Sequence, residues 1–125
     1  AGVIMHARSI LMTVTAFVGL TLAPGCGQDC QSTCNKLFQE GECNLQRPGQ
    51  SRDDLLRSCN NACADALKTP GEIREEYTPT QYTPSDQSVR FQNDQEAALW
   101  MDCVEAQACE KLDDGYCSPT SSYGD

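Results

Sequence analysis

One histidine serves the whole chain, His6, and it stands ahead of the first cysteine. With no imidazole after it, the Ser–His and Cys–His nucleophile arrangements have no base in the body of the chain. C-x-x-C is missing, and so is C-x-x-C-H, which removes the thioredoxin-type motif and haem attachment. Aromatic residues make up 6%, with a single Trp. A core built from so few large side chains is thin, and small domains of that kind need staples. No stretch alternates β-branched with polar residues, so strands are not expected. Basic residues are scarce: nine Lys+Arg stand against eighteen Asp+Glu, and all the acids follow Cys26. Such a surface repels phosphate backbones, which argues against nucleic acid as a partner. A long apolar run is missing too. Ile10 to Leu22 carries no charge, yet its thirteen residues would span roughly 20 Å as a helix, short of a ~30 Å hydrocarbon core.

Cysteine is what the chain has in excess. Nine in 125 residues is about 7%, near the density of disulfide scaffolds in exported chains. Nine is odd, and an odd thiol in an exported protein asks for an explanation. The segment around Cys26 supplies one. Met5-His6-Ala7-Arg8-Ser9 is short and basic, Ile10 to Leu22 is apolar, and small residues follow. Together they describe an export signal over 1–25, with Met5 as the candidate initiator. Leu22-Ala23-Pro24-Gly25-Cys26 resembles the lipobox of bacterial lipoproteins. Ala23 stands where that pattern usually has leucine, and Leu22 is one place further back. The resemblance implies that Cys26 is acylated and becomes the new N-terminus, a covalent lipid being the sole group expected on the chain. Several acyl chains anchor stably where one anchors weakly. An ordinary secretory signal, with Cys26 as one more disulfide cysteine, remains open. So does an uncleaved apolar segment packed among other helices of a membrane complex.

Setting Cys26 aside leaves eight sulfurs for four bridges. Cys30 and Cys34, like Cys59 and Cys63, are spaced i, i+4, so each pair lies on one helix face about a turn apart. Two antiparallel helices can then be bridged twice, Cys30 to Cys63 and Cys34 to Cys59. For the remainder, Cys43 to Cys103 and Cys109 to Cys117 are the expected pairings, although eight cysteines allow roughly a hundred connectivities. The competing reading is thiol-redox or metal handling by the C-x3-C cysteines. Against metal, the commoner zinc spacing includes C-x2-C, and no metal ligand set is assigned.

The expected body is all-α: a helical domain over 26–119, with a polar flexible tail over 120–125. A first helix spans Asp29 to about Glu40, with Cys30, Cys34, Leu37 and Phe38 as its stripe. Gly41 stops it. Ser51 caps a second helix whose stripe is Leu55, Leu56, Cys59, Cys63, Ala66 and Leu67, ended by Thr69-Pro70-Gly71. A third runs from Asn93, paired with Glu96, to Leu112, with Ala97, Trp100, Met101, Val104, Ala108 and Leu112 inside. Residues 71–92 are polar, hold Pro79 and Pro84, and have no helical period; so long a connection is functional or mobile. Tyr77, Tyr82 and Phe91 in it are the candidate partner contacts, since aromatics are enriched at interface hot spots. The alternative is that they fold back over the hairpin. The carboxylate pairs Asp53-Asp54, Glu75-Glu76 and Asp113-Asp114 read as solvated helix ends and turns, so no catalytic residue is assigned and an enzyme is not expected.

Ala97 to Val104 (AALWMDCV) followed by Cys109 to Cys117 (CEKLDDGYC), with the Cys26 context, resembles small cysteine-rich lipoproteins of myxobacteria and related soil bacteria. That resemblance implies anchoring at the cell envelope, on the periplasmic or surface face of the outer membrane. The expected role is a non-catalytic binding or structural module with a membrane contact through its lipid and a protein partner.

Overall fold

A computed structural model describes residues 28–84 and 87–118. The expected signal over 1–25, Cys26 and the 120–125 tail lie outside the described residues. Four helices follow in order: α1 Cys30–Phe38, α2 Arg52–Leu67, α3 Asp94–Ala106 and the short α4 Cys109–Asp113. Among the described residues there is no strand.

Each long helix starts on a side-chain cap, at Ser51 and Asn93 as expected and at Asp29 in addition. Asp29 accepts from the Ser32 N–H at 2.7 Å, and Ser32 Oγ accepts from the Asp29 N–H at 3.1 Å, a closed capping box. Ser51 Oγ accepts from the Asp54 N–H at 3.2 Å and donates to the Asp54 carboxylate at 2.7 Å. Asn93 Oδ1 accepts from the Glu96 N–H at 3.0 Å. α1 ends at the 39–43 turn, where Gly41 takes φ +93°, a region costly for a side chain with a Cβ.

α1, α2 and α3 pack each against the other two. The first two form an antiparallel hairpin, bridged Cys30–Cys63 and Cys34–Cys59 as the i, i+4 spacing predicts. Cys34, Cys59, Leu37 and Phe38 are fully buried between the helices. α3 closes the third side with Ala97, Trp100, Met101, Cys103 and Val104, and Trp100 is wholly enclosed. Phe91 lies against it, ring centroids 4.9 Å apart. Trp100, Phe38, Phe91 and Tyr77 thus supply the large aromatic side chains of the core.

Several expectations need correction. The third helix is broken: Gln107 is extended (φ −98°, ψ 146°), and α4 starts after Ala108, which is exposed. No glycine or proline marks that break. Tertiary structure imposes it, because Cys109 is bonded to Cys43 and Lys36 Nζ donates to the Glu105 carbonyl at 2.7 Å, ending α3 there. The outer pairings also differ from expectation, being Cys43–Cys109 and Cys103–Cys117. Cys103 lies on the core face of α3, and the returning chain brings Cys117 to it inside. Cys109, beyond the break, points outward, where it meets Cys43. On α2, Leu56 is half-buried at the margin of the core, and Leu67 is exposed because the hairpin partner α1 is too short to cover the last turn.

Candidate functional surface

The described residues of 71–92 form no helix, yet a large part of them is held in place. The holding group is Glu96, a carboxylate with its side chain fully buried at the start of α3. Glu96 Oε1 accepts from the Arg74 N–H at 3.0 Å and from Arg74 Nε at 2.8 Å. Oε2 accepts from an Arg74 terminal nitrogen at 3.0 Å and from the Gln92 N–H at 2.8 Å. Four donors thus converge on one carboxylate and join both ends of the segment to α3. Burial alone would raise the Glu96 carboxyl; the Arg74 and Gln92 donors and the Arg74 charge outweigh it and hold it below the ordinary range. Arg74 also donates to the Arg90 carbonyl at 2.6 Å, closing the loop on itself.

Further along, Pro79 is buried and its carbonyl accepts from the Cys117 N–H at 2.8 Å. Tyr77 is buried as well, and its hydroxyl has no hydrogen-bonding partner among the described residues. Burial pushes that phenol far up, Glu96 adds to the rise and the Arg74 charge offsets part of it. Upstream, Gly71 is pressed so close to Asn93 that an added Cβ would meet it at 2.8 Å.

The expected aromatic contact surface therefore divides. Tyr77 and Phe91 are core residues, because the segment ends that carry them are tied down by Glu96. Tyr82 alone is outside, 57% exposed, with its ring 6.2 Å from that of Tyr116 and against Gly115. Lys111 Nζ sits 4.8 Å over the Tyr116 ring, so that face already carries a cation.

The carboxylate pairs are distributed over the outside. Asp53, Glu75, Glu76, Asp113 and Asp114 are exposed. Asp54 is engaged by the Ser51 hydroxyl and the Arg57 guanidinium, which hold its carboxyl below the ordinary range. Open polar grooves flank α1; one lies between Ser32, Lys36, Glu42 and Glu105, another between Gln31, Glu40, Arg52 and Asp53. Among the described residues no group of three or more His, Cys, Asp or Glu is placed to hold a metal ion, and no helix is long and apolar enough to cross a membrane.

Sequence reasoning missed the Arg74–Glu96 clamp. Glu96 three places after Asn93 reads as a capping-box partner, and only its place among the inner residues of the stripe, beside Ala97 and Trp100, hinted at burial. Comparison of the chain with protein-family models, with curated proteins and with solved structures finds no match to any of them.

Proposed function

We propose that the chain is a lipid-anchored protein of the bacterial cell envelope, a non-catalytic binding or structural module held by acylation at Cys26. One observation carries the reading: all eight cysteines after Cys26 are used up in four disulfides. Cys26 is the ninth, it has no sulfur left to pair with in its own chain, and it closes a lipobox-like segment. Acylation gives an otherwise odd thiol a use and gives a small acidic domain a place at a membrane. The non-catalytic part of the reading rests on a single histidine ahead of that cysteine and on carboxylate pairs spread over exposed helix ends.

Mass spectrometry of the N-terminal peptide from the chain exported in a bacterial host tests it. The expected result is a diacylglyceryl-modified Cys26 as first residue, and movement to the soluble fraction on Cys26→Ser. A thiol count under denaturing, non-reducing conditions completes the test. No free thiol in the acylated chain fits the stapled module; several free thiols or bound zinc would replace it with thiol-redox or metal handling. An unmodified chain that keeps Met5 would overturn the anchor.

A further inference from the structure

Three large hydrophobic side chains are exposed on the described surface: Leu67 at 43%, Ile73 at 47% and Tyr82 at 57%. Two of them belong to one end of the molecule. The Cys30–Cys63 bridge fixes the start of α1 beside the last turn of α2, and Leu67 follows Cys63 by one turn. The chain then stays at that end. The Thr69 carbonyl accepts from the Asp94 N–H at 2.9 Å, the Gly71 N–H donates to the Asp94 carboxylate at 3.1 Å, and the Glu72 carbonyl accepts from Asn93 Nδ2 at 2.9 Å. Leu67, exposed Pro70 and Ile73 are therefore held between the start of α1 and the start of α3.

Cys26 precedes Cys30 by four residues. Whatever path they take, four residues reach at most about 14 Å. A lipid on Cys26 therefore brings this end of the domain to the bilayer and leaves the α1–α2 loop, α4 and Tyr82 away from it. Resting on the anchored reading, we infer that Leu67, Pro70 and Ile73 form a second, apolar contact with the lipid surface and so set the orientation of the whole domain. The contact is apolar rather than electrostatic. At this end the carboxylates Asp29, Asp65, Glu72 and Asp94 outnumber the cations Lys68 and Arg74, and Arg74 is taken up by Glu96. Apolar side chains settle at the boundary of headgroups and acyl chains, ~5–10 Å deep, without help from anionic lipid.

The test uses the acylated full chain in phosphatidylcholine vesicles carrying brominated acyl chains. Ile73→Trp reports the apolar end and Glu42→Trp the opposite loop, each read above the background of buried Trp100. We expect vesicles to quench the Ile73→Trp signal by about half and leave Glu42→Trp nearly unchanged, as interfacial burial of one side chain requires. Added phosphatidylglycerol lowers the quenching, because this end is acidic. An acylated, vesicle-bound chain with equal quenching at both positions overturns the orientation and leaves the anchor standing. Absence of acyl groups on Cys26 overturns both. A blue shift at Ile73→Trp without bromine quenching assigns the patch to a second copy of the chain, against a lipid surface. Quenching that grows with anionic lipid also counts against it.

Discussion

The α1–α2 hairpin and the 71–92 segment are ordered by opposite means. The hairpin has helical periodicity, side-chain caps and two bridges, Cys30–Cys63 and the buried Cys34–Cys59. The segment has no helix or strand among its described residues, no cysteine and two prolines, and it depends on one carboxylate that gathers four donors. Irregular backbone is therefore a poor guide to mobility. What decides is whether its polar groups and large side chains find partners on the body of the fold. In the hairpin the entropy of the unfolded chain is cut covalently. In the segment it is offset by the ion pair of partly exposed Arg74 with buried Glu96 and by two inward aromatics.

Substitutions can test that contrast from both sides. The largest effect is expected in the hairpin. Cys34→Ala with Cys59→Ala opens a bridge spanning 25 residues and costs about 3 kcal/mol in denaturant unfolding; removing Cys30–Cys63 as well abolishes folding at 37 °C. Retained cooperative melting of the four-alanine chain would show that apolar packing alone holds the hairpin.

Arg74→Met comes next. It strands a fully buried Glu96 without its countercharge, and the expected loss is about 3 kcal/mol, because breaking one side of a buried pair costs more than the pair contributes. Adding Glu96→Gln recovers part of that loss. Limited proteolysis should then cut within 71–92 while the hairpin stays intact. Uniform cleavage would mean that segment and hairpin unfold as one unit.

Acid acts on the same point more mildly. The Glu96 carboxyl is lowered in the folded state, so its contribution is fully present above its unfolded value near 4.5 and is lost as pH falls through the folded one. Melting temperature, with disulfides intact, should therefore drop below about pH 4.5. Asp29, which is exposed, and half-buried Asp54, both lowered by their cap hydrogen bonds, act in the same direction. Glu96→Gln should flatten the fall; an unchanged slope would assign it to the caps.

Tyr77→Phe is the smallest change and the one expected to stabilise. It deletes a buried hydroxyl that has no partner among the described residues and keeps the ring, a gain of about 1 kcal/mol in the same unfolding assay. A loss would reveal a hydrogen bond to the Tyr77 hydroxyl.

Much of this architecture was legible before any coordinates. Cys30/Cys34 and Cys59/Cys63 carry their geometry in their spacing, since i, i+4 residues face one way on a helix whatever surrounds it. Ser51 and Asn93 announce helix starts through chemistry confined to three residues. Cys43 and Cys109 were illegible by the same logic, because 66 residues separate them and no local rule spans that distance. Tyr82, Tyr77 and Phe91 look alike as aromatics in a polar stretch, yet two are core and one is surface.

Helix periods, caps and the odd number of sulfurs are local or arithmetical properties, so this chain's residues dictate its all-α, cross-bridged character and single out Cys26 unaided. The break at Gln107, the outer bridges, the burial of Glu96 and the gathering of Leu67 and Ile73 at one end depend on which distant surfaces meet. Those outcomes were settled by packing, where a donor or a sulfur is satisfied only by the partner that the assembled helices place within reach.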